Sequence, residues 1–312
     1  MTLHVSADLA PTGALTPSIA ARRRRERGTA WLAITPALGL LSLLLFGPVL
    51  AVMLFSLTDW QIGSSTFHFL GLDNYRALLS DALFWKTLSN TGLYVVLVVP
   101  GTVLLGLVVA LLIEARPGLR SFYRAAHFLP VMSTMAAMAI VWGAMLHPTI
   151  GLVNRLLAEF GIIGVNWLRD ERTVLPALAV IGIWQNFGFA MVLFVAGLKS
   201  IPRSLYDAAD IDGADGMLER LRTVTLPMLG PATMFVVILT ATRAFEVFDT
   251  VRVLTQGGPN FASDVLLHRL YTESFDFLRT GYGAALTVVY LAIVMLLTLV
   301  QARVLDRRVH YS

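Results

Sequence analysis

Cysteine is absent from the 312-residue chain, which excludes disulfides, thiolate metal centres and a cysteine nucleophile. Charge is scarce: 14% of residues are Asp, Glu, Lys or Arg, where a soluble domain carries about a quarter. With 56% hydrophobic residues and a mean hydropathy of +0.72, the chain lacks the polar coat that water demands. The 24 Gly and 13 Pro are ordinary numbers and exclude collagen-like and low-complexity chains. Catalytic signatures are missing as well. Lys86 follows Trp85 and Lys199 follows Leu198, so neither closes the Gly-Lys-Ser/Thr of a phosphate-binding loop. The six His are scattered, with no HExxH and no paired metal-ligand spacing. His127 and His147 read as interfacial residues with local partners, and Gly257-Gly258-Pro259 as turn chemistry. No catalytic residue, metal or cofactor is expected in this chain.

What is present is six long uncharged runs: 29–58, 87–113, 125–154, 173–198, 223–242 and 280–302. Each supplies the roughly 20 residues needed to cross a hydrocarbon core of about 30 Å. All are rich in Leu, Val and Ala without strand-like alternation, so helices must satisfy their backbones. A soluble helical core would instead need charged faces on most helices. The pattern predicts an all-α membrane protein with six transmembrane helices.

Lys and Arg set the expected orientation. Arg22, Arg23, Arg24, Arg25 and Arg27 stand just before the first run; placing them in the cytoplasm puts fifteen of the 24 Lys and Arg inside and eight outside. Arg243 remains in or beside a span. Both termini are therefore expected in the cytoplasm. The pI of 9.6 is read as topology, and no nucleic-acid partner is expected. Residues 1–28 are expected to form a mobile basic tail, too long and too polar for a signal-peptide leader, with the permeating domain over 29–312. Outside, a short amphipathic helix is expected near 74–79, with longer loops over 155–172 and 246–279.

One connection is unlike a turn. Between the fourth and fifth runs lies KSIPRSLYDAADIDGADGMLERLRTVTLPMLGP, residues 199–231, where a few residues would suffice. Pro202 stands where a helix begins, and Ser204 is expected to cap a helix over 205–211. Ala208 and Ala209 give it a small face, Gly213 and Gly216 break it, and a second helix is expected from Met217 toward Pro227. Such a helix suits either docking into a groove of another protein or lying on lipid headgroups, and composition does not choose between them.

The same segment resembles the EAA motif of importer permeases of the ATP-binding-cassette class. Asp207-Ala208-Ala209 stands for Glu-Ala-Ala, Gly213 falls at the motif's glycine, Val224 replaces its Ile, and Leu226-Pro227 closes it. The string SIPRSLYDAADIDGA, 200–214, is similar to the carbohydrate-importer branch in particular, the maltose and glycerol-phosphate permease type. So are VLTQGGP at 253–259, GLDNY at 71–75, Asn90-Thr91, FLP at 128–130, Trp142 and GLVN at 151–154. The resemblance implies the six-span fold of a type I importer in a bacterial or archaeal cytoplasmic membrane. It implies as partners a second permease subunit, two ATP-binding-cassette ATPases that hold ATP and Mg, and an extracytoplasmic solute-binding protein. By position, Asp207, Ala208, Ala209 and Gly213 would form the ATPase contact, with Tyr206 and Asp212 beside them; the coupling segment spans 199–224. ATP-driven closure would then rock the spans between inward- and outward-facing states.

The fourth run carries Trp184, Gln185, Asn186 and Phe189, amides and aromatic faces suited to sugar hydroxyls and rings. The resemblance implies that this stretch lines a solute pathway; the alternative is amides that hold helices together. Gly188 is expected to loosen the helix locally. Arg243 and Glu246, one turn apart, are expected to pair on one helix face, as a snorkelling Arg or as a cavity group for an acidic solute or sugar hydroxyls. A secondary transporter or channel working without ATP is the alternative function. It would favour buried acids within the runs, and these have none.

Overall fold

The computed structural model describes residues 19–308 apart from 116, 163 and 215. The chain divides into two compact units, 1–52 and 53–312. The first is built on helix α1 (Ile19–Phe55), which begins inside the stretch expected to be a tail; residues 1–18 lie outside those described. Ala20, Ala21 and the arginines are good helix formers, so the helix extends ahead of the apolar run. Trp31, Leu43, Phe46 and Leu50 are exposed, as side chains facing lipid are.

The second unit contains α2 (Asp73–Ser80), α3 (Ala82–Ala115), a single 3-10 turn, α4 (Arg120–Met132), α5 (Met135–Met145), α6 (Leu152–Glu159) and α7 (Val174–Ser200). Then follow α8 (Arg203–Ile211), α9 (Met217–Arg220), a π-helical turn (Leu221–Thr225), α10 (Leu226–Met228), α11 (Gly230–Phe245) and α12 (Asp249–Leu254). The described residues end with α13 (Leu266–Tyr271), a second π turn (Thr272–Asp276) and α14 (Thr280–Arg308). Among the described residues there is no sheet, only an isolated antiparallel bridge between Thr58 and Phe69.

Among the described residues four helices are long and apolar enough to cross a membrane, and up to six spans result if two bent pairs each count as one. The third run is the first departure from expectation. Instead of one helix it forms α4 and α5, bent by 98°. Pro130 offers no donor to the carbonyl one turn before it, and Ser133 and Thr134 adopt extended backbone, so the helix stops and restarts. The fifth is bent too, by 66°, between Met228 and Gly230, with Pro227 and Pro231 flanking the corner.

The packing centre is α3 against α7. On α3 the buried residues are Phe84, Thr87, Thr91, Tyr94, Val98, Thr102, Gly106, Ala110 and Ile113, an unbroken stripe at spacings of three and four. Small and hydroxyl residues fill much of this stripe, while Leu93, Val96, Leu104 and Leu112 face outward. That inversion of the soluble pattern is expected where lipid is as apolar as leucine and close helix approach supplies the packing. Thr87 and Thr91 return their hydroxyls to the carbonyls of Phe84 and Thr87, at 2.9 and 2.8 Å, which removes the cost of burying them. Tyr94 is buried in the same stripe. A second apolar cluster joins Ala110 and Ile113 of α3 and Phe194 of α7 to Ala209 of α8 and Val224, so the 199–231 segment is packed onto the spans.

Candidate coupling and solute sites

Helix α8 is positioned by its neighbours more than by its caps. Pro202 takes extended backbone and begins it, no side chain caps it, and Ser204 lies inside the helix instead of at its cap. Tyr206 hydrogen-bonds Thr225 through their hydroxyls at 3.1 Å, and Arg220 pairs with Asp210 at 2.7 Å. At the far end Gly213 takes φ +89°; its N–H donates to Asp210 and that of Ala214 to Ala209, at 3.2 and 2.9 Å. This is the double bond pattern of a left-handed helix stop, which glycine adopts without steric cost. An added Cβ at Gly213 would meet nothing within 4 Å, so the chain itself does not crowd this turn.

The expected flat face of two alanines does not form. Consecutive residues point about 100° apart on a helix, so Ala209 is buried against the spans while Ala208 is exposed. Asp207, Ala208, Asp212 and Gly213 face outward, joined by Ile211, which is 87% exposed. Beyond the turn Met217 and Leu218 are also exposed. These three apolar residues were not singled out from sequence; the signal was Ile211 four residues after Asp207, hence on its outward face.

The residues expected to line a solute pathway come together in part. Trp184, Gln185, Asn186 and Phe189 are half-buried on α7, and Gln185 and Phe189, four apart, share a face. Arg243, in the last turn of α11, lies with its guanidinium carbon 4.1 Å from the centroid of the Phe189 ring. The expected Arg243–Glu246 pair is absent: α11 ends at Phe245, Glu246 falls at the helix stop, and Arg243 turns to the aromatic ring. Trp184 meets Trp142 of α5 edge to face at 5.4 Å. The Asn186 amide donates to the carbonyl of Gly182 at 2.8 Å, whereas the Gln185 amide has no partner among the described residues. Gly188 does not loosen α7, which is continuous. A Cβ there would collide with the carbonyl of His127, so the glycine admits the backbone of α4. His127 and His147 have the local partners expected of them, the Tyr123 carbonyl and the Thr149 hydroxyl.

The weaker sequence matches acquire a common role. Asn74, Asn90 and Asn154 each donate both protons of one amide to two loop carbonyls: Ser56 and Thr58, Phe261 and Asp264, Pro148 and Val165, all at 2.8 to 2.9 Å. A buried loop needs such donors for its carbonyls. A buried charged group was missed altogether. Asp264 meets His268 at 2.6 Å, and Glu273, with no exposure, pairs with Arg269 at 2.5 Å and also with Arg279. The i, i+4 spacing of Asp264 with His268 and of Arg269 with Glu273 was the available signal.

The family described as "Binding-protein-dependent transport system inner membrane component" matches residues 84–311. The chain is 33% identical over 281 residues to the sulfoquinovosyl glycerol transport system permease protein of Agrobacterium fabrum, covering 90% of this chain and 91% of that one. It is 32% identical over 246 residues to the sn-glycerol-3-phosphate transport system permease protein of the same organism, covering 78% and 83%. A "Probable ABC transporter permease protein" of Pyrococcus horikoshii is 31% identical over 268 residues, covering 85% and 91%. Among solved structures, a bacterial ABC transporter involved in the import of the acidic polysaccharide alginate shares the fold, with TM-score 0.80 and 20% identity over 93% of this chain and all of that one. The family pattern over most of the chain, with relatives aligned along nearly their whole lengths, places the protein among the binding-protein-dependent transport system inner membrane components, as an ABC transporter permease of the carbohydrate-uptake branch.

Proposed function

We propose that the chain is one permease subunit of an ATP-driven importer for a sugar or sugar-like solute: an oligosaccharide, a polyol or a glycerol-phosphate-like compound. In this reading the two bent helix pairs are single spans, giving six, and both termini lie in the cytoplasm. The observation that carries it is α8, a short helix locked to the spans by Ala209 and Tyr206 and presenting Asp207, Ala208, Ile211 and Asp212 outward. Exposed isoleucine and methionine at a turn are costly in water and favourable in a partner's cleft. A rigid seat under that helix transmits a displacement to α3 and α7 instead of absorbing it. Closure of two ATPases would thus move the helices that bear Trp184, Gln185, Asn186 and Phe189. Relatives named for sulfoquinovosyl glycerol and glycerol 3-phosphate transport support the substrate class, and an alginate transporter solved with its periplasmic protein supports delivery by a binding protein.

Co-expression tests the reading. The chain should co-purify with a second permease and an ATPase, and the isolated chain should turn over no ATP. Uptake into vesicles by the chain alone, without ATP or partners, would sink it in favour of a secondary carrier.

A further inference from the structure

At the turn between α7 and α8 a cavity of about 550 Å³ opens, walled by the end of α3, the start of α4 and both limbs of the 199–231 segment. Three cations line it: Arg120, Lys199 and Arg203. Among the described residues Glu114 is the one carboxylate in the wall, and it is already engaged, by Arg120 at 3.4 Å and more closely by Arg124. Lys199 and Arg203 make no side-chain ion pair or hydrogen bond among the described residues. The buried Nε of Arg120 likewise has no acceptor. The cavity thus gathers more positive charge than the described residues neutralise, beside donors that have no acceptor among them. Leu111, Ala115, Leu198 and Ile201 make an apolar side, and Tyr206 and Thr225 complete the wall.

We propose that this cavity binds a phosphate oxyanion, supplied by the headgroup of an anionic phospholipid. Charge selects the phosphate: the Lys199 ammonium, the Arg203 guanidinium and the Arg120 Nε–H are donors for its oxygens, and basic pockets between spans at a membrane face take such headgroups. The apolar wall fits the glycerol and first methylenes behind a lipid phosphate and offers nothing to a free ion. Tyr206 forms part of the wall and is fixed by Thr225, so an occupant bridges α3 and α4 to α8 and holds the helix in place. The inference stands on the geometry of this turn and does not depend on the ATPase reading.

The test uses the full chain in phosphatidylcholine nanodiscs, titrated with phosphatidylglycerol and read by native mass spectrometry. Phosphatidylglycerol should be retained in preference to phosphatidylcholine. Lys199→Gln and Arg203→Gln should each weaken retention about fivefold, with helix content unchanged by circular dichroism. Arg222→Gln removes an exposed cation outside the cavity and should leave retention as it is. Millimolar inorganic phosphate separates the sources: failure to displace the lipid identifies the headgroup as ligand, while displacement with phosphate retained identifies a free-phosphate site and overturns the lipid assignment. Equal retention of the two lipids, or equal loss in Arg222→Gln and the cavity variants, would overturn the site itself.

Discussion

The guanidinium of Arg243 on α11 lies over the ring of Phe189 on α7, 4.1 Å from its centroid, and not beside Glu246, three residues on. The contact ties the only charged residue of α11 to the face of α7 that carries Gln185. A guanidinium stacked by its flat side keeps its N–H edge free for an acidic group or for sugar hydroxyls. Both Arg243 and Glu246 are exposed in the single chain, so either has room to meet a solute or a partner.

Arg243→Lys separates charge from shape. Lysine keeps the cation, and with it the attraction to the ring, but loses the planar donor fork, about 0.5–1.5 kcal/mol for a lost hydrogen bond. Uptake is expected to fall roughly two- to twelvefold, with assembly and basal ATP turnover retained. Uptake kinetics across several candidate solutes decide the matter; unchanged kinetics would remove Arg243 from the pathway.

Glu273 holds a different kind of charge. It is completely buried between Arg269, itself buried, and Arg279, whose side chain is 52% exposed. Glu273→Gln strands the buried Arg269 cation and should cost about 3–5 kcal/mol. Arg279→Gln leaves the other pair intact and removes a half-solvated partner, so about 0–1 kcal/mol is expected. Thermal unfolding of the detergent-solubilised chain checks the order; equal shifts would show that Glu273 does not depend on Arg269.

Gly188 allows α4 and α7 to touch backbone to backbone. Gly188→Val must push the His127 carbonyl aside, and overpacking of this kind costs about 1–3 kcal/mol. Gly92 on α3 has nothing within 4 Å of an added Cβ, so Gly92→Ala should be neutral or gain up to about 1 kcal/mol from helix propensity. Comparable melting temperatures for the two variants would contradict the packing role of Gly188.

These residues also mark how far the sequence could be read. Charge-free runs located every long helix, because hydrocarbon excludes charge over a fixed length. They did not reveal the 98° break in the third run. Proline occurs inside many spans without breaking them, as Pro100 does in α3, and the extended backbone at Ser133 and Thr134 carries no compositional mark. The EAA resemblance located α8, yet not which alanine faces inward; that follows from the register set by Tyr206 and Thr225, a contact between residues 19 apart. Arg243 was expected to choose its nearest acid because spacing along one helix is legible and the approach of another helix is not. The asparagine clamps were seen as isolated matches, since the carbonyls that they satisfy lie as far as 174 residues away.

Gly213 allows the turn conformation and the partner contact to be tested apart. Its φ of +89° disfavours an ordinary side chain by about 1–2 kcal/mol, although open space surrounds the Cβ position. Gly213→Val should therefore insert normally and lose both ATPase association and transport, through strain in the helix stop, through a clash with the partner, or both. Gly213→Asn is the sharper variant, because asparagine tolerates the left-handed conformation. In the isolated chain it should leave α8 and thermal stability almost unchanged. In the assembled transporter a docked ATPase surface would meet the new side chain, so co-purification and uptake should still fall. If Gly213→Asn associates and transports as the parent chain does while Gly213→Val fails, the glycine serves the turn alone and the closest part of the contact must lie at Asp207, Ala208 and Ile211.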